Sequence, residues 1–151
     1  MKTISTVVLP AHLKYLPAFI EAVTNAAKNG GVDQKRFFDI ELALEEILVN
    51  IMNHAYEGTN GDIQVVCRSD NQRYFVIEIT DTGKAFDMTS VPPPDLSGAI
   101  SERTIGGLGI HFVKKLTDKV QYRRDGNKNI LEIKIFLVPQ SLTNNMLKEK
   151  P

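Results

Sequence analysis

Residues Phe37–Tyr56 read FFDIELALEEILVNIMNHAY. Phe37, Phe38, Ile40, Leu42, Leu44, Ile47, Leu48, Ile51, Met52 and Ala55 recur at the 3.6-residue period of an α-helix and cover most of its circumference. Such a helix belongs in a core. Four polar side chains cut through its apolar surface: Glu46, Asn50, Asn53 and His54. At i, i+4, i+7 and i+8 they stand above one another on one face. A carboxylate, two carboxamides and an imidazole each cost roughly 1–3 kcal/mol when buried without partners. The face is therefore either wet or the wall of a site whose ligand supplies the partners.

Working outward, two glycine-bearing segments follow this helix: DTGKAFD at Asp81–Asp87 and IGGLGIHFVKKL at Ile105–Leu116. The first follows a β-rich run and reads as a turn. The second places Gly106, Gly107 and Gly109 ahead of a helical pattern from Gly109 to Leu116, where bare backbone N–H groups make an anion site. It is neither a Rossmann G-x-G-x-x-G within a βαβ unit nor a Walker A loop, since no Gly-Lys-Ser/Thr occurs.

The chain on either side fills in the fold. Ile4–Leu9 reads as a first strand at an edge, ended by Pro10. His12–Lys28 has helical spacing, with Pro17 in its first turns, and Asn29-Gly30-Gly31 stops it. Asp33 reads as the N-cap of the long helix, which ends near Glu57-Gly58. Asp62–Arg68 and Tyr74–Thr80 read as a hairpin pair, and Lys119–Arg123 and Asn129–Phe136 as two more strands across a turn at Asp125-Gly126-Asn127. Met88–Thr104, with Pro92–Pro94, reads as a long irregular loop, which in a compact domain is functional or disordered. The order βααββ–loop–αββ predicts an α+β two-layer sandwich, helices on one face of a mixed or antiparallel sheet. Residues 1–139 are expected to form one domain and 140–151 a polar tail.

Composition sets bounds. At 151 residues the chain suits a single domain. Lys+Arg and Asp+Glu each number 18, so the net charge is zero, which argues against a nucleic-acid binder with a basic surface. The single cysteine, Cys67, excludes an internal disulfide and reads as a small buried hydrophobe, which suits the cytoplasm. There is no signal-peptide pattern and no run of about 18 apolar residues, so neither export nor a membrane span is expected.

Glu46–Asn50, Asp81–Gly83 and Gly106-Gly107-Leu108-Gly109 together resemble the N, G1 and G2 boxes of the GHKL (histidine kinase-like) ATPase superfamily, which has the Bergerat ATP-binding fold. The resemblance runs from about Ile4 to Val138 and places an ATP lid between the two glycine boxes. It implies ATP and Mg²⁺ as cofactors. Asn50 is then the Mg²⁺ ligand, for which a carbonyl oxygen on a rigid helix suits a cation that keeps most of its ligands from phosphate and water. Glu46 is the general base, in preference to Glu45, which points about 100° away. Asp81 reads the adenine amino group, and Gly83 lets the purine approach the backbone. Phe86 and Asp87 extend the match to Asp-x-Gly-x-x-Phe-Asp, and Glu46, Asn50, His54 and Tyr56 fit the form Glu-x-x-x-Asn-x-x-x-His-x-Tyr. Asn53, His54, Arg103 and Thr104 are candidates for further nucleotide contacts; Lys114 and Lys115 read as surface charges at a helix end.

A helical hairpin with a phosphorylatable His, as in sensor kinases, and a following domain, as in gyrase-, Hsp90- or MutL-type ATPases, are not expected. The chain's length and order are similar to the anti-sigma-factor serine kinases of the RsbW/SpoIIAB type. That branch implies phosphorylation of a serine on a STAS-type anti-anti-sigma partner, contact with a sigma factor, and a homodimer. Two alternatives stand beside it: an ATP-binding partner-switch module without turnover, and a small subunit hydrolysing ATP to water. Ile51, where a small residue is commoner, and Lys84 depart from the branch's usual pattern.

Overall fold

The computed structural model describes residues 1–56, 59–90 and 105–137, and of residues 105–108 the backbone alone. Pro92–Pro94, Arg103, Thr104, the Glu57-Gly58 helix end and the tail from Gln140 lie outside them. The described elements are β1 (Lys2–Pro10), α1 (Leu16–Asn29), α2 (Phe37–His54), β2 (Asp62–Ser69), β3 (Tyr74–Asp81), α3 (Ile105–Leu116), β4 (Lys119–Asp125) and β5 (Lys128–Phe136). Short 3₁₀ turns at Leu13–Tyr15, Gln34–Arg36 and Met88–Ser90 punctuate them.

The strands form one sheet in the order β1-β2-β3-β5-β4, antiparallel at every pairing. Of the two sheet types anticipated, the structure selects the antiparallel one, and β1 lies at an edge as expected. Alternation sorts the side chains. Ile63, Val65 and Cys67 of β2, Phe75, Ile77 and Ile79 of β3, and Leu131, Ile133 and Ile135 of β5 point to one face and share a single core with the helices. The other face carries charge: Arg68 and Arg123 lie 3.3 and 3.8 Å from Glu78, and Lys134 3.8 Å from Glu132. The fold is thus the expected α+β arrangement of three helices on a five-stranded sheet.

Among the boundaries that differ from the sequence expectation, three around the first two helices have a local reason. The first helix begins at Leu16, not His12. A continuous helix from His12 would put Pro17, which has no N–H, against the Leu13 carbonyl. The chain instead makes a 3₁₀ turn, capped by His12 Nδ1 accepting from Lys14 N (3.1 Å), and restarts with Pro17 as the second helical residue. Asp33 is a cap, but of the 3₁₀ turn before α2, accepting from Lys35 N at 3.0 Å. The long helix ends at His54, because Ala55 and Tyr56 are used to brace the next segment.

Within α2, Ile40, Leu44, Ile47, Leu48 and Ile51 are buried, as is Ala43. Phe38 is the exception to the apolar pattern, being 67% exposed. It falls on the side of the helix turned away from the sheet. Ile51 takes its place in the core, so the larger side chain there is accommodated by packing.

Candidate functional site

Helix α2 is the spine on which the three motif segments meet. Near its middle, Glu46 leans against α3: an ideal Cβ built on Gly109 would lie 2.7 Å from Glu46 Oε2. Glycine at 109 is what lets this carboxylate rest on the α3 backbone. Glu45 goes elsewhere, to a groove of about 460 Å³ between α1 and α2 that Leu16, Ile20, Glu21, Thr24 and Glu41 also line. One residue of helical rotation therefore separates a carboxylate beside the glycine box from one on the far flank of the helix.

At its C-terminal end, α2 meets the DTGKAFD segment. Lys84 N donates to Ala55 O at 2.9 Å. Tyr56 Oη accepts from Thr82 N (2.8 Å) and donates to Asp62 O (2.6 Å). A Cβ on Gly83 would lie 2.2 Å from Ala55 O, so only glycine fits there. Lys84 works through its backbone while its side chain is exposed, which explains why an unusual residue is tolerated at that position.

Asn50 is half-buried, one turn beyond Glu46 and one turn short of this junction. Asn53, His54 and Glu46 are exposed, so the stripe is a face open both to solvent and to a ligand. Phe86 is also exposed, and its N–H donates to Asn129 Oδ1 at 3.4 Å. The α3 helix starts at Ile105, so Gly106, Gly107 and Leu108 form its first turn with Gly109 just behind, where the sequence placed the glycines ahead of the helix. The first four N–H groups of a helix have no intrahelical acceptor, so this turn carries donors that the helix itself does not use. Glycine costs about 1 kcal/mol inside a helix, which is why the pattern hid the true start. Thr104 and Arg103 lie outside the described residues. Lys114 and Lys115 are both exposed, as expected of surface charges, and Lys114 Nζ also donates to Thr89 O at 3.0 Å.

Asp81 ends β3 on the core-facing register and is 4% exposed. Its Oδ1 accepts from Gly83 N (2.9 Å) and from Asn129 Nδ2 (3.0 Å). Among the described residues Oδ2 has no donor. A buried carboxylate oxygen with no donor is an acceptor waiting for one. Asn129 sits opposite Asp81 in the β3–β5 register and is itself 7% exposed. Its second amide hydrogen goes to Lys84 O (2.8 Å), and its Oδ1 accepts from Tyr122 Oη (2.6 Å) and Arg124 Nη1 (3.0 Å). Arg124 Nη1 also donates to Gly83 O at 3.1 Å. No spacing in the sequence singles out Asn129, Tyr122 or Arg124. The one available signal is a polar residue opening a strand whose inward positions are otherwise Leu131, Ile133 and Ile135.

Among the described residues no group of three His, Cys, Asp or Glu side chains is placed to cage a metal, and no helix is long and apolar enough to cross a membrane. A buried acceptor at one end of α2, a carboxylate and helix-start donors near its middle, and Asn50 between them suit a nucleotide lying along the helix. A Mg²⁺ that keeps phosphate and water ligands needs little more than the Asn50 oxygen from protein.

The sheet order, the helix layer and this junction of three segments define a histidine kinase-like ATPase domain. The chain belongs to that family, whose model matches residues 9–135. Over 130 residues it is 26% identical to the serine-protein kinase RsbW of Bacillus cereus (strain AH187), covering 83% of this chain and 81% of the relative. The proteins of the same name from Bacillus thuringiensis (strain Al Hakam) and Bacillus anthracis (strain A0248) match to the same extent.

Proposed function

We propose that this protein is an ATP-dependent protein serine/threonine kinase and anti-sigma regulatory factor, which transfers the γ-phosphate of ATP to a serine of a STAS-type anti-anti-sigma protein. Family membership supports ATP use, and the likeness to RsbW supports a serine as acceptor. The observation that carries the reading is the contact of Glu46 with Gly109, which puts a carboxylate beside the helix start suited to phosphate.

In this reading Asp81 Oδ2 accepts from the adenine amino group, and Gly83 leaves room for the purine. The first-turn N–H groups at Gly106, Gly107 and Leu108 bind phosphate oxygens, with Thr104 adding a contact. Asn50 would hold Mg²⁺, which when bound would neutralise phosphate charge. Glu46 takes the proton of the serine hydroxyl as it attacks. Phosphoryl transfer asks mostly for positioning and charge neutralisation, with one proton to remove. Asn53 and His54, on the same face of α2 and one turn beyond Asn50, add further nucleotide contacts. A sigma factor is the second protein partner, the assembly is a homodimer, and the site of action is the cytoplasm.

Thermal unfolding tests the nucleotide site. Ligand at ~100 times its Kd stabilises by about 2.7 kcal/mol, which for a domain of this size is a rise of roughly 5–10 °C. The rise should require ATP with Mg²⁺, weaken with EDTA and vanish in Asn50→Ala. Incubation with radiolabelled ATP and a STAS-domain protein should then label a serine, and Glu46→Gln should not. Phosphate released to water with no labelled protein would sink the kinase assignment in favour of a plain ATPase. A thermal shift without either product would leave a binding module.

A further inference from the structure

We infer that Asn129 is a positioning residue that sets the base selectivity of the site by fixing which oxygen of Asp81 faces the nucleotide, an inference that rests on the adenine reading above. The amide of Asn129 can sit only one way round. Its Nδ2 faces two acceptors, Asp81 Oδ1 at 3.0 Å and Lys84 O at 2.8 Å. Its Oδ1 faces three donors, Tyr122 Oη at 2.6 Å, Arg124 Nη1 at 3.0 Å and Phe86 N at 3.4 Å. A flipped amide would set acceptor against acceptor at Asp81 Oδ1 and Lys84 O and donor against donor at Arg124 Nη1 and Phe86 N, with only the Tyr122 hydroxyl able to reverse its role.

The consequence falls on Asp81. With Gly83 N and Asn129 Nδ2 both donating to Oδ1, that oxygen is saturated and the carboxylate cannot swing. Oδ2, buried and without a donor among the described residues, is left as the one free acceptor. A fixed lone acceptor discriminates: the exocyclic amine of adenine donates to it, whereas the carbonyl of hypoxanthine or guanine brings a second acceptor against it. A charge-assisted bond of this kind is worth roughly 10- to 100-fold in affinity. Without Asn129, Asp81 keeps only the Gly83 contact and can rotate to accept or shed water, so the choice of base relaxes. The strands supply the rigidity, since Asp81 and Asn129 are directly paired across β3 and β5.

The test is the ratio of ITP to ATP dissociation constants, with Mg²⁺, in the full chain. Wild type is expected to prefer ATP by roughly 10- to 100-fold. Asn129→Ser should shrink the ratio to a few-fold, raising KM for ATP with kcat little changed. Tyr122→Phe, a milder change that frees the amide from its far side, should shift the ratio less and in the same direction, and serves if Asn129→Ser does not fold. In an Asp81→Asn background Asn129→Ser should leave the ratio where Asp81→Asn put it, because the residue acts through Asp81. A wild-type ratio in both single variants, with Asp81→Asn alone collapsing it, overturns this inference and spares the adenine reading. So does an equal shift with and without Asp81. A wild type that binds neither nucleotide, or both alike, overturns the adenine reading and this inference with it.

Discussion

The carboxylate of Glu46 occupies the space that a side chain on Gly109 would need, with Oε2 2.7 Å from the ideal Cβ position. The blocking atom is the free end of a flexible side chain, so an alanine at 109 can be housed by pushing Glu46 aside. Alanine is also about 1 kcal/mol better than glycine within a helix. Stability and activity should therefore part company in Gly109→Ala. The melting temperature is expected to hold or rise by roughly 2–4 °C, while the proposed phosphoryl transfer should fall by about 10²-fold or more if Glu46 is its base. Calorimetry alongside a phosphotransfer assay checks both halves, and unchanged turnover would show that Glu46 need not rest where it does.

Gly83 presents the opposite case. Its Cβ would meet the carbonyl oxygen of Ala55 at 2.2 Å and the carbonyl carbon at 2.6 Å, both main-chain atoms. Relief requires parting the end of α2 from the Asp81–Gly83 turn and breaking the bond from Lys84 N to Ala55 O. Gly83→Ala should cost about 2–4 kcal/mol and abolish the ATP-dependent thermal shift. Tyr56→Phe removes a softer brace, the hydroxyl that accepts from Thr82 N and donates to Asp62 O. Both partners are solvent-accessible, so water replaces it, and the loss should be about 1 kcal/mol. Urea unfolding of the two variants should rank them in that order.

How much of this was written in the residues varies with the distance over which the physics acts. Among the described residues, periodicity located each α-helix and strand, because alternation and the 3.6 period are local. The Glu46 and Asn50 face was legible for the same reason, as was the separation of Glu46 from Glu45, which lines a groove on another side of the helix. The start of α3 was not, since three glycines among its first five residues look like a loop to any propensity argument. Nor was Phe38, whose exposure depends on which neighbours cover α2. Asn129 shows the limit most clearly. Its meaning comes from facing Asp81 across two strands 48 positions apart in sequence, and no local pattern carries a sheet register.

Cys67 lies on the core face of β2, and burial pushes its thiol up to about 12. Only the thiolate is a nucleophile, so at pH 8 the folded protein offers almost none. Native protein is expected to resist a thiol reagent such as DTNB for hours and to react with one equivalent within minutes in strong denaturant. The rate should therefore report opening of the core. Prompt reaction under native conditions would mean that the β2 face of the core is less closed than its packing indicates.

Asp70 makes the hairpin between β2 and β3 sensitive to acid. Its Oδ1 accepts from the backbone N–H groups of Arg73 (2.8 Å), Gln72 (3.0 Å) and Tyr74 (3.1 Å), foremost Arg73, and these hold the carboxyl at about 2 against an ordinary 3.8. The folded value is the lower one, so the stabilisation is fully present above 3.8 and is lost as pH falls toward 2. The neighbouring turn depends on it, with Asn71 held at φ 59 beside it. Asp70→Asn keeps an oxygen acceptor in place but cannot titrate. At pH 6 the variant should melt below wild type, and the gap should narrow steadily between pH 4 and pH 2 as the wild-type carboxylate takes up its proton. Melting curves of the two proteins across that range decide the matter. A gap of constant width would place the stabilisation in the shape of the turn and not in the charge of Asp70.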